Sequence, residues 1–182
     1  MGKRVEVSVK FLDELADDAI PEVLASLAFI EISPDQRDFS MPASAVLEKS
    51  RRDPSRRAFA IMIGSSDAAE VVGVGVLHPD GADRTVWPSG QPHVLLRGVS
   101  VDARHQGQGV GTAATGEAAA LAQRAFPMSD AIVLTVHVDN VAGQRAYARV
   151  GFTYTGRTVS GRAGEEYVMS RPLNAVNLRP LP

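Results

Sequence analysis

Val99-Ser100-Val101-Asp102-Ala103-Arg104-His105-Gln106-Gly107-Gln108-Gly109-Val110-Gly111-Thr112 is the stretch whose reading decides the fold. A β-branched run ends at Val101, a polar turn follows, and three glycines at alternate positions lead into an alanine-rich segment. That order predicts a strand, a loop and the start of a helix. Gly107, Gly109 and Gly111 tolerate positive φ and carry no Cβ, so several backbone N–H groups can converge on one anion. The helix start adds unpaired amides and the positive end of its dipole. The stretch therefore reads as a phosphate cradle.

Three phosphate-binding patterns compete for it. The Walker pattern needs Lys-Ser/Thr after its last glycine, and Gly111 is followed by Thr112-Ala113, which argues against a nucleoside triphosphatase. Gly109-Val110-Gly111-Thr112-Ala113-Ala114 fits the dinucleotide fingerprint, with Asp139 downstream as its ribose carboxylate. That fingerprint belongs on the first βα turn of a long βαβ series, whereas this one falls past mid-chain after β-rich sequence. Gln106-Gly107-Gln108-Gly109-Val110-Gly111, read as Gln-x-x-Gly-x-Gly, resembles motif A of the GNAT superfamily of acyl-CoA-dependent N-acetyltransferases. The resemblance implies that the amides of Gln106, Gly107, Gln108, Gly109, Val110, Gly111 and Thr112 hold the pyrophosphate of coenzyme A. It also implies that the main chain of Val99, Ser100 and Val101 pairs with the pantetheine arm as an added strand would.

A second match lies downstream. Asn140 to Phe152 resembles GNAT motif B, Asn-x-x-Ala-x-x-x-Tyr-x-x-x-Gly-Phe, with Gly143 departing from the usual alanine at a helix-propensity cost of about 1 kcal/mol. Asn140 and Tyr147 are seven residues apart, nearly two turns, so a helix presents both to one ligand. The resemblance makes Asn140 a cofactor contact and Tyr147 the general acid that protonates the thiolate leaving group. Without motif A, the same residues read as an N-cap and a half-buried core ring.

The acceptor amine must also lose a proton. Neutralising an aliphatic amine with a pKa of about 10.4 costs on the order of 4–5 kcal/mol at neutral pH. Water-borne hydroxide can serve, or a side chain through water. His137 shares a strand face with Thr135 near the point where the central strands should part, and it is the first candidate base. The GNAT resemblance also places the acceptor pocket between the first two helices, so Glu31, Asp35 and Asp38 are the expected carboxylates for a cationic amine. Ser33 to Phe39 is similar to the Gln-x-x-Phe stretch of the spermine/spermidine and diamine acetyltransferase group. It reads equally well as a loop with Phe39 as a core plug.

Composition narrows the field. The 182 residues suit one domain, 45% are hydrophobic and 22% charged, and the formal net charge of −2 offers no basic surface for nucleic acid. No apolar leader or membrane-length run is seen, so a cytoplasmic location is expected and no membrane partner. The absence of cysteine removes thiol catalysis and disulfides, and His78, His93, His105 and His137 lack ligand spacing, so no metal is expected. No Gly-x-Ser-x-Gly elbow is present, so covalent catalysis is not indicated.

Period-2 alternation predicts a strand over 3–10. Apolar spacing predicts a helix over 12–27, broken or kinked at Pro21, and a second over 44–51. Strands follow at 57–63 and 71–77 around a turn at 64–67. A Pro/Gly loop carries Trp87, the only tryptophan, either as a substrate contact or, more commonly, as an anchor for its own loop. A strand at 93–101, a helix at 112–125 ended by Pro127, a strand at 131–138, the motif B helix and a terminal hairpin at 152–170 complete the order βα(α)βββαβαββ. This order resembles the GNAT acyl-CoA N-acyltransferase fold, an α/β class with a mixed sheet covered on both sides. It forms one domain over 1–172 with a tail at 173–182.

The resulting expectation is an enzyme that transfers the acetyl group of acetyl-CoA directly to a primary amine of a small molecule, polyamine-like or otherwise cationic, as a monomer or homodimer. Acetylation of a protein N-terminus or lysine is the alternative within the enzyme class. A non-catalytic acyl-CoA-binding module and a dinucleotide-dependent oxidoreductase are the alternatives outside it.

Overall fold

The computed structural model describes residues 6–33, 41–65 and 69–173. The elements run β1 (Val7–Phe11), α1 (Ile20–Ala28), α2 (Ala43–Arg52), β2 (Arg57–Ile63), β3 (Glu70–Pro79), β4 (His93–Val101), α3 (Val110–Ala125), β5 (Ala131–His137), α4 (Val141–Arg149), β6 (Thr153–Ser160) and β7 (Glu165–Pro172). Among the described residues the strands form one sheet in the order β1-β2-β3-β4-β5-β7-β6, antiparallel except for the β4–β5 pair. The order of elements is the one expected for the GNAT fold.

One expected helix is cut short. The segment predicted as helical over 12–27 opens with a 3-10 turn at Leu12–Glu14, and α1 begins only at Ile20. Proline has no N–H to donate, which is harmless in a first turn and costly inside a helix. Pro21 therefore starts α1 instead of kinking it.

Two hydrophobic layers sandwich the sheet. On one face Ala114, Ala118, Ala119 and Ala122 of α3 are buried against Val94, Leu96, Ile132 and Leu134. Alanine contributes little bulk, so this helix lies close to the central strands. On the other face Val23 and Leu27 of α1 and Ala43 and Val46 of α2 cover Ala60, Val74 and Val76. The apolar run Ala131 to Leu134 of β5 follows from burial on both faces, since Val133 joins a third cluster in which Trp87 packs. Trp87 thus anchors its loop. Among the described residues no helix is long and apolar enough to cross a membrane.

Candidate active site

The site begins where two strands part. β4 and β5 pair in parallel only from His93–Ala131 to Leu95–Val133. Beyond that point β4 stays with β3 and β5 stays with β7, so a gap opens at the carboxyl ends of both strands. β4 is also bulged there. Val74 faces Ser100 while Val76 faces Arg97, so Gly98 and Val99 together stand opposite Gly75. Gly98 has φ +61, and a Cβ on it would lie 3.1 Å from Val46. A glycine bulge of this kind bends the strand and releases peptide groups from the ladder. A cavity of about 420 Å³ fills the gap, walled by 95–99 of β4, 134–137 of β5, α4, the 81–86 loop and the final hairpin.

The glycine loop lies at the carboxyl end of β4. Gly107 and Gly109 have φ of +73 and +84, and a side chain at either would meet nothing within 4 Å. Left-handed backbone beside open space is what close approach of a phosphate needs. Ala113 N–H makes the first bond of α3, to the Gly109 carbonyl at 3.0 Å, which leaves the amides of the preceding turn for a ligand. These features fit the diphosphate of coenzyme A. The glutamines act differently: Gln106 Nε2 donates to the Val101 carbonyl at 2.8 Å and Gln108 Nε2 to that of Arg104 at 2.9 Å. Their side chains brace the loop; the Gln106 amide, expected to hold the diphosphate, instead donates to the Ala103 carbonyl at 3.3 Å, which closes the 3-10 turn before the loop.

Buried Asp102 is the other brace, and sequence reasoning missed it. Its carboxylate accepts from the Arg104 amide (2.9 Å), from Arg104 Nε (2.9 Å) and from the Glu31 amide (3.4 Å). The bonds from Arg104 hold its pKa below the ordinary 3.8. The Glu31 carbonyl accepts from Ala103 N–H at 2.8 Å, so the main chain of Glu31 ties α1 to the cradle. Its side chain is exposed and is not part of the cavity wall. Asp35 and Asp38, the other expected acceptor carboxylates, lie outside the described residues, as does Phe39.

Asn140 and Tyr147 both reach the cavity from α4. Asn140 is the N-cap: its side chain accepts from Gly143 N–H at 2.9 Å. A Cβ on Gly143 would sit 2.8 Å from the Asn140 amide nitrogen, so the glycine clears room for the cap. Tyr147 is half-buried, its ring 6.2 Å from that of Phe152, and its hydroxyl has no hydrogen-bond partner among the described residues. Burial pushes the phenol pKa up from 10.0, so it keeps its proton at neutral pH.

His137 is on the wall, but both ring nitrogens are engaged. Nδ1 accepts from Asp139 N–H at 3.1 Å, which forces Nε2 to carry the hydrogen shared with the Ala163 carbonyl at 3.2 Å. The free base expected at this position is instead a clamp between β5 and the β6–β7 turn. His93 is clamped likewise, with Nε2 accepting from Ala82 N–H at 3.0 Å and Nδ1 against the Gln91 carbonyl at 3.0 Å. No cluster of potential metal ligands occurs among the described residues.

With this geometry in place, a family model described as "Acetyltransferase (GNAT) family" matches residues 24–152, well over half of the chain. The chain belongs to the acetyltransferase (GNAT) family. As a GNAT protein it is an acetyl-CoA-dependent acetyltransferase. Its similarity to an uncharacterized N-acetyltransferase, YbbJ, of Bacillus subtilis (strain 168) is 26% identity over 149 residues, 82% of this chain and 91% of the relative. Among solved structures, the aminoglycoside acetyltransferase AAC(6')-Ib in complex with coenzyme A superposes with a TM-score of 0.65 at 15% identity, over 92% of this chain and 95% of that one. A chain of the NatC complex bound to Gag peptide and CoA superposes with a TM-score of 0.61 at 17% identity, over 93% and 99%. These likenesses show the fold.

Sequence reasoning also passed over Gly98 and Arg97. Both carried a signal: a glycine inside a strand marks a bulge, and Arg97 is the lone charge in the apolar run from Val94 to Val101.

Proposed function

We propose that this GNAT enzyme transfers the acetyl group of acetyl-CoA directly to a primary amine of a small molecule, with Tyr147 as general acid. The observation that carries the reading is the Tyr147 hydroxyl, unpartnered among the described residues, on the wall of the cavity between the diverging β4 and β5. The amides of 107–112 bind the diphosphate, the Gln106 amide being spent on the Ala103 carbonyl at 3.3 Å, and the main chain of Val99 to Val101 at and just past the bulge pairs with the pantetheine arm. Bound in this way, acetyl-CoA supplies an activated acyl group. Tyr147 Oη holds the proton that the departing sulfur needs, and its raised pKa keeps that proton in place.

Removal of the amine proton falls to water in the cavity. His137 has no lone pair to offer until the bond from Asp139 opens. Lys49 and Arg97 on the wall favour the neutral over the cationic amine, which lowers the cost of that deprotonation.

The test is thiol release from acetyl-CoA against polyamines, aminoglycosides, amino acids and peptides. Turnover of at least one small amine, above that of any peptide, is expected. Turnover confined to peptides would move the assignment to a protein acetyltransferase, and none at all with intact CoA binding would make the chain a binding module.

A further inference from the structure

Arg97 is a half-buried cation without a counterion among the described residues. It sits on β4 one residue before the bulge, on the α2 face of the sheet, opposite Val76 and on the cavity wall. No carboxylate of the described residues comes within salt-bridge distance of its guanidinium. The acid whose charge reaches it is Asp53, which is spent on Ser55 and on Arg56 Nε at 2.8 Å. Among the described residues its one polar side-chain contact is a long one, from Nη1 to His78 Nδ1 at 3.5 Å. Burial lowers the pKa of His78, so that neighbour stays neutral at pH 7 and offers no charge. His78 Nε2 is in turn turned towards Ser55 Oγ at 2.9 Å, which fixes the ring that the guanidinium leans on.

A guanidinium taken partly out of water is costly unless its donors meet an anion, and its planar fork suits a carboxylate or phosphonate. The other charges of the cavity do not supply one. Asp83 accepts from the Thr85 and Val86 amides and so closes its own turn (2.8 and 3.3 Å), while Glu166 lies across the cavity on β7, in register with His137. Exposed Lys49 adds a second positive charge on the α2 side. The wall facing the acceptor therefore favours an anionic group.

We infer that Arg97 binds an anionic group, a carboxylate or its phosphonate equivalent, carried by the acceptor alongside the amine to be acetylated. The inference rests on the transferase reading above and refines it: the acceptor class is an amino acid or related amino-anion, not a polycation. Pairing at Arg97 fixes the acceptor by its anionic end and leaves an amine free to turn towards the acyl carbon.

The experiment uses matched pairs that differ only in the anion: lysine with cadaverine, ornithine with putrescine, phenylalanine with phenethylamine, and 2-aminoethylphosphonate with ethylamine. For the CoA-loaded enzyme, affinity is measured by calorimetry and kcat/KM by thiol release. The anionic member of at least one pair is expected to bind at least roughly tenfold more tightly. Arg97→Gln should bring that ratio near one by raising KM, and Arg97→Lys, which keeps the charge and loses the fork, should fall between. Circular dichroism and thermal melting establish that both variants fold. Equal or weaker binding of the anionic member in every pair overturns the inference, and so does a preference that survives in Arg97→Gln. An anion preference in binding with no thiol released from either member would uphold Arg97 and overturn the transferase reading instead.

Discussion

Phe152 N–H donates to the Tyr147 carbonyl at 3.1 Å, and the two rings meet at 6.2 Å. Gly151, at φ +89, donates to the Ala148 carbonyl at 3.1 Å. Together these bonds form a Schellman ending, in which the residue after the left-handed glycine packs back on the last turn. Arg171 of β7 holds the same end by donating from Nη1 to the Val150 carbonyl at 2.9 Å. The Tyr-x-x-x-Gly-Phe spacing thus has a mechanical reason: the glycine and the phenylalanine fix where the phenol points.

Tyr147→Phe removes the proton donor and keeps the ring contact. The variant should lose about 10²–10⁴-fold in kcat while its CoA affinity stays near that of the parent. Thiol-release kinetics with a CoA titration check this. An unchanged kcat would remove the acid role, and lost CoA binding would make the residue structural.

Protonated phenol is the working form, and burial raises its pKa above 10.0. Any fall in rate that is due to Tyr147 ionising should therefore appear only above about pH 10, not between 8 and 10. The kcat–pH profile of the parent, compared with Tyr147→Phe, reads this out directly.

Gly151→Ala forces a Cβ into a left-handed position and should cost about 1–3 kcal/mol of stability. Because that position orients Tyr147, kcat should fall more than CoA affinity does. A urea titration gives the first quantity and steady-state kinetics the second. A stable variant with normal kcat would show that the helix ending does not position the phenol.

At Gly109, φ is +84 and a methyl group would project into the open space in front of the cradle. Gly109→Ala should raise the CoA dissociation constant about tenfold or more, through strain of about 1–3 kcal/mol and obstruction of the phosphates. Calorimetry with CoA tests it, and affinity equal to the parent's would place the diphosphate elsewhere.

Asp102 supplies stability with a definite pH dependence. Its folded pKa lies below 3.8, so the stabilisation is present above 3.8 and is lost as pH falls through the folded value. Asp102→Asn should melt below the parent at pH 7, and the gap should narrow below about pH 4. A constant gap across the acid range would contradict the role given to the charge.

Much of the architecture could be read from the chain alone. Apolar, β-branched runs bounded by turn residues set β2 and β4 at the bounds observed, because central strands covered on both faces bury consecutive residues. The alanine run set α3, and the resemblance to motifs A and B located the glycine loop and Tyr147. α1 was misjudged because spacing cannot tell a proline that starts a helix from one that interrupts it.

What sequence determined by itself was local: the periodicities, the glycines that permit left-handed backbone, and the seven-residue spacing that puts Asn140 and Tyr147 on one side of a helix. What only the tertiary structure decided was which groups remain free. His137 looked available and is bonded at both nitrogens, whereas Arg97, which sequence reasoning passed over, stands on the cavity wall with no counterion among the described residues. The physical reason is that a side chain's free valence depends on neighbours brought in from distant elements, such as Ala163 beside His137 and His78 beside Arg97, and no local pattern records those meetings.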